Sequence, residues 1–243
     1  RLLRDMGDPS LVQLGAAVPN PAFLPAEKLN RIQTALAREL GAEALAYDVT
    51  PGCKLLRVQI ARRMLDAGCE VKPEEIVTTN GCQEAMVLSL RAVCRPGDTV
   101  AIESPTYYGV LQALEALGLR ALELPTDPRH GISLGALRYA LEQHPVRAVL
   151  VSNFNNPSGA CMADECRREL VELLATRHIP LIEDDVYGEL AFEPRRPRAA
   201  KAWDQKGLVL FCSSFSKTLA PGYRVGWVLP GRFFRELEHL KLF

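Results

Sequence analysis

Lys217 stands in the run SSFSKTLAPGYRVGW, Ser213 to Trp227, with hydroxyl side chains just before it and an arginine seven residues after it. A lysine amine becomes a covalent catalyst when a carbonyl cofactor captures it as a Schiff base, and pyridoxal phosphate is the commonest such cofactor. The phosphate of such a cofactor requires donors. The same run carries them: hydroxyls at Ser214 and Ser216 and, at Arg224, a planar fork matched to two phosphate oxygens. The apolar runs GLVLFC and RVGWVL flank the lysine, so it is expected on a loop joining two buried strands, where sites are commonly built.

Four further stretches place chemistry next to apolar runs. IEDDVYGELAF, Ile182 to Phe192, sets Glu183, Asp184 and Asp185 side by side, and strand alternation puts the middle carboxylate on the face opposite its neighbours. SNFNNPSG, Ser152 to Gly159, follows VRAVLVS and reads as a turn shaped by Pro157 and Gly159, with the Asn156 amide beside it. TTNGCQEAMVLSLRAV, from Thr78, reads as a strand end, a glycine and a helix whose first amides attract phosphate. ESPTYYGV, from Glu103, presents Tyr107 and Tyr108 just after a proline.

Together these segments strongly resemble the fold-type I pyridoxal-phosphate-dependent aminotransferases, over nearly the whole chain. The resemblance implies an internal aldimine at Lys217, with Asp184 as partner of the pyridine nitrogen and Tyr187 as donor to the ring hydroxylate. A carboxylate beside that nitrogen keeps it protonated and lets the ring act as an electron sink. The spacing to Tyr187 favours Asp184 over its neighbours. Asn156 is implied as the contact to the ring oxygen, and Tyr107 as the stacking ring, with Tyr108 as a rival. Gly81, Cys82 and Gln83 are implied at the phosphate, with Ser214, Ser216 and Arg224. Cys82 stands where many members of the family carry a hydroxyl. Tyr47, in AYDVTPGCKLLRVQIA, resembles the tyrosine that reaches the phosphate of a neighbouring subunit, which implies a homodimer. The family more often follows that tyrosine with a small residue, where this chain has Asp48, Val49, Thr50 and Pro51 before Gly52.

At 243 residues and 48% hydrophobic composition the chain can bury a full core. No apolar run approaches the ~18 residues needed to span a membrane. The formal net charge of +0 gives no electrostatic case for nucleic acid or acidic lipid, and the basic run EPRRPRAAK, Glu193 to Lys201, is expected to be a solvated loop. Seven cysteines without a CxxC pair fit a reduced, cytoplasmic protein better than a disulfide framework. Neither they nor the four histidines have metal-ligand spacing, so no metal site is expected. Dinucleotide and P-loop signatures are absent from the sequence.

Apolar strands at EIVTT, TVAIES, RALELP, RAVLVS, PLIEDD, LVLFCS and RVGWVL alternate with amphipathic helices. That alternation predicts an α/β fold, a three-layer α/β/α sandwich around a mainly parallel sheet. In LLRVQIARRM, Leu56, Ile60 and Met64 are expected in the core of an amphipathic helix. The expected division is an N-terminal arm and helix over 1–46 and the cofactor-binding large domain over 47–243. The family's small C-terminal domain, which carries the arginine for a substrate carboxylate, is expected to be missing from this chain. The opening pattern LGAAVPNPAFLP, followed by Y, PG, LR and IA, is most similar to aminotransferase-like domains of GntR-type regulators of the MocR group. It also resembles the aminoadipate and aromatic aminotransferase branch. Two readings follow: an effector domain that senses an amino compound, with DNA reached only through a domain outside this chain, or an amino acid aminotransferase acting with a 2-oxo acid.

Overall fold

The computed structural model describes residues 10–12 and 17–242. Eight strands form one sheet: β1 (Val77–Thr79), β2 (Thr99–Ser104), β3 (Arg120–Asp127), β4 (Gly131–Ile132), β5 (Val146–Ser152), β6 (Leu181–Asp184), β7 (Val209–Ser214) and β8 (Gly226–Leu229). Their order is β1-β8-β7-β6-β5-β2-β3-β4. Strands β7, β6, β5, β2 and β3 run parallel, and the antiparallel pairs are confined to the two ends. All seven strands expected from apolar runs form. The two-residue β4 was not foreseen, because so short a strand carries no periodicity to read.

Helices cover both faces, as parallel strands require. On one face α3 (Cys82–Val93), α4 (Tyr108–Ala116) and α7 (Phe234–Lys241) pack against Val100, Ile102, Leu150, Ile182, Leu210 and Val228. On the other, α5 (Leu134–Gln143) and α6 (Asp164–Thr176) pack against Ala101, Val149, Val151, Leu181 and Val209. The alternation is strict along β7, where Leu210 and Cys212 face α3 while Val209 and Phe211 face away. This is the expected three-layer sandwich.

The helix α2 (Lys54–Met64) buries Ile60 and Met64 against Phe211, Trp227 and Leu229, and Leu56 packs partly buried against the same cluster. The contrast is α1 (Ala26–Leu40), an amphipathic helix that buries no residue and leaves Ile32, Leu36 and Leu40 exposed. The helix α1 therefore stands apart energetically from the sheet. Each large side chain fully buried in the three clusters stabilises the fold by about 1.5–3 kcal/mol, and α1 contributes none of these.

Candidate active site

Parallel strands end together, and here the carboxyl ends of β5, β6 and β7 border a cavity of about 420 Å³. Crevices outside such strand ends are the usual ligand sites of α/β sheets. Ser152, Asp184 and Ser214, at the ends of these strands, all line it.

Lys217 comes from the loop between β7 and β8, as its flanking runs predicted. Its Nζ lies 5.6 Å from the centroid of the Tyr187 ring and donates to the carbonyl oxygen of Ala17. Burial holds the amine below the ordinary lysine range; Asp184 opposes that shift and Arg224 adds to it. A greater share of neutral amine is what a nucleophile needs.

Strand alternation separates the three carboxylates. Ile182 faces α3, so Asp184, two residues on, lies on the same face and reaches the cavity. Its Oδ1 lies 3.4 Å from Cys82 Sγ and accepts from the Val186 amide at 3.2 Å. Burial pushes this carboxyl above its usual range, against the lowering influence of the Cys82 thiol, the Val186 amide and Lys217. Glu183 points the other way and accepts the amides of Ala200 and Lys201 at 2.6 and 3.1 Å. Asp185, just past the strand, accepts Asn153 Nδ2 at 2.7 Å and pairs with Arg196 at 2.5 Å.

A second group of donors gathers at one end of the cavity. Arg224, in the left-handed backbone region at φ 54°, turns its guanidinium to Ser216 Oγ at 3.4 Å and to the Asn80 carbonyl at 3.1 Å. Ser214 Oγ accepts the Ser216 amide at 3.3 Å. This packing explains Gly81: its φ is +87°, and a Cβ there would come within 2.3 Å of the Arg224 guanidinium. Gly81 is also the N-cap of α3, so the free amides of that helix open toward the same end of the cavity. Gln83 lines the cavity, but its side chain donates to the Gly109 carbonyl at 3.1 Å and ties α3 to α4.

Tyr107 and Tyr108 both line the cavity, their rings 4.6 Å apart and inclined by 57°. Burial pushes the Tyr107 phenol up to about 12. Asn156 Nδ2 reaches the Tyr187 hydroxyl at 3.5 Å. Burial raises the Tyr187 phenol, the charge of Asp184 reinforces that, and the Asn156 bond opposes it. Tyr47 is fully exposed and does not line the cavity of its own chain.

Sequence reading passed over Ser152, Thr106, Val186, Met86 and the Ala17–Val18 segment, all of which line the cavity. Ser152 carried a usable signal, its place at a strand end. Ala17 carried none, because it meets Lys217 from 200 residues away.

A model of the family described as aminotransferase class I and II matches residues 17–232. The chain is 46% identical over 241 residues to the HTH-type transcriptional regulator YjiR of Escherichia coli, covering 99% of this chain and 51% of that protein. It is 32% identical over 248 residues to aromatic-amino-acid aminotransferase 1 of Thermococcus litoralis, covering 99% of this chain and 59% of the enzyme. The structure of LysN, the alpha-aminoadipate aminotransferase of Thermus thermophilus, complexed with N-(5'-phosphopyridoxyl)-L-leucine, superposes with a TM-score of 0.86. It shares 30% identity, over 93% of this chain and 58% of that one. The chain thus spans about half the length of the curated relatives it matches. With the family model covering most of its length, the chain belongs to the aminotransferase class I and II family.

Proposed function

We propose that this chain binds pyridoxal 5'-phosphate covalently through Lys217 and forms the amino-compound-sensing domain of a GntR/MocR-type transcriptional regulator. The observation that carries the cofactor reading is one cavity that holds a depressed lysine amine, a buried carboxylate and a separate set of anion donors. The residues fit the group. Thr106 Oγ1, on the cavity wall, is buried without a hydrogen-bond partner among the described residues, which leaves it available to a polar group in the cavity. Ser214, Ser216, Arg224 and the first amides of α3, at Cys82 and Gln83, would hold the phosphate.

Pyridoxal phosphate, when bound, supplies an electron sink for bonds broken at the α-carbon of an amino compound. The chain's own residues do the rest. With the group bound, Asp184 would hold a proton at the ring nitrogen, Tyr187 and Asn156 would orient the ring oxygen, Tyr107 would stack on the ring, and Lys217 Nζ would carry a proton to and from the reacting carbon. The regulator reading rests on YjiR, of which this chain covers about half. A free-standing aminotransferase that passes the amino group to a 2-oxo acid is the second reading, supported by the Thermococcus enzyme. The proposed assembly is a cytoplasmic homodimer in which Tyr47 serves the partner's phosphate, and DNA is reached through a part of the protein outside this chain.

Borohydride reduction of the full-length protein with pyridoxal phosphate, followed by peptide mass spectrometry, tests the cofactor reading. The expected adduct is on Lys217; an adduct on another lysine, or none, sinks it. Amino-compound-dependent DNA binding without turnover supports the regulator. Steady turnover with a 2-oxo acid supports the enzyme.

A further inference from the structure

Asp184 is gripped by one oxygen. The Cys82 thiol and the Val186 amide both lie against Oδ1, at 3.4 and 3.2 Å, and no hydrogen bond among the described residues falls on Oδ2. The thiol reaches this position because Cys82 is the first residue of α3 and Asp184 ends β6 on the face that α3 covers. Among the described residues its one hydrogen bond is to the carboxylate, while its backbone amide stays with the anion donors at the helix start.

We propose that Cys82 is a positioning residue: its S–H donates to Asp184 Oδ1, fixes the carboxylate plane together with the Val186 amide, and leaves Oδ2 to face the ring nitrogen. This inference rests on the proposed cofactor at Lys217 and adds a role for a side chain that the family resemblance assigned to the phosphate. The physical case has three parts. A carboxylate offers about four lone-pair sites, and two donors on one oxygen restrain rotation about Cβ–Cγ. A thiol is a weak donor, so it orients the carboxylate without draining its basicity as a charged partner would. The thiol also stays protonated, since burial and the Asp184 charge hold it well above the ordinary cysteine range, so its S–H is available to the carboxylate.

The test reads the bond with and without cofactor, in the full-length protein. Without cofactor, an infrared difference spectrum between wild type and Cys82→Ser isolates the Cys82 S–H stretch from the other six thiols. That band should lie at the low frequency of a hydrogen-bonded thiol and move upward in Asp184→Asn, whose neutral amide is the weaker acceptor. With pyridoxal phosphate bound, Cys82→Ala should shift the pH midpoint of the cofactor's absorbance and weaken its affinity about fivefold, the worth of one modest hydrogen bond. Cys82→Ser should restore most of both. An S–H band indifferent to Asp184→Asn, or a Cys82→Ala protein with wild-type midpoint and affinity, overturns the inference alone. Failure of the wild-type protein to take up the cofactor overturns the proposed function and this inference together.

Discussion

Asp184 and Asp185 are neighbours in sequence and occupy opposite sides of the sheet, and the two settings differ in kind. On the α3 side, Asp184 meets a thiol, one amide and an open cavity. On the α6 side the space is closed and every charge is answered: Asp185 by Arg196 and Asn153, Glu183 by two amides, and Arg167 by Asn153 Oδ1, the Arg198 carbonyl, Asp164 and the Cys161 sulfur. Burial raises both carboxyls of that closed side, Glu183 to about 7 and Asp185 to about 6. A buried carboxylate without such partners would be costly. The satisfied side therefore holds the fold, and the unsatisfied side is left for a ligand.

The contrast breaks most visibly at Asp184. Asp184→Asn should slow exchange of the α-proton of an amino acid by several orders of magnitude, because the ring nitrogen loses its proton-holding partner. The same change should raise the melting temperature at pH 8. The folded pKa of Asp184 lies above the unfolded value, so its stabilising contribution is present at low pH and lost as pH rises through the folded pKa. An amide removes that loss. Deuterium exchange at the α-carbon and a thermal melt read the two effects; a lower melting temperature with normal exchange would reverse the roles assigned to the two sides.

Asp185→Asn should do the opposite. It leaves Arg196, only 11% exposed, without its carboxylate; burial raises the Asp185 carboxyl too, so neutralising it brings some relief, but the orphaned guanidinium should outweigh that relief and lower stability, with α-proton exchange within a few-fold of wild type. Urea unfolding measures it. Comparable losses of exchange in the two variants would erase the distinction.

Tyr47 sharpens the comparison from outside both sides, being fully exposed in a single chain. If it serves the partner's phosphate, Tyr47→Phe should weaken cofactor affinity about tenfold, the worth of one charge-assisted hydrogen bond, with the melting curve unchanged. Equally tight binding by the Phe variant, or by a dilute monomer, would remove it from the site.

The smallest effect is one of sign. Burial depresses the Lys217 amine, Asp184 raises it and Arg224 lowers it. The pH midpoint for cofactor capture should therefore move up in Arg224→Gln and down in Asp184→Asn. Stopped-flow absorbance across pH reads both; shifts of the same sign would show that the two charges do not act on the amine as the geometry requires.

The amino-acid sequence by itself determined the seven longer strands, the buried face of α2 through Ile60 and Met64, the loop that carries Lys217, and the face of β6 on which Asp184 lies opposite its neighbours. Each of these depends on a period of two, a period of 3.6 or a short spacing, and such local rules survive folding unchanged. Only the tertiary structure decided that Cys82 turns to Asp184, that Gln83 turns to Gly109, that Ala17 meets Lys217, and that Arg167, Asn153 and Arg196 close the far side. These contacts join residues from 11 to 200 positions apart or select one rotamer among several, and that selection is made by packing and by the need to satisfy every buried charge, which no local spacing encodes.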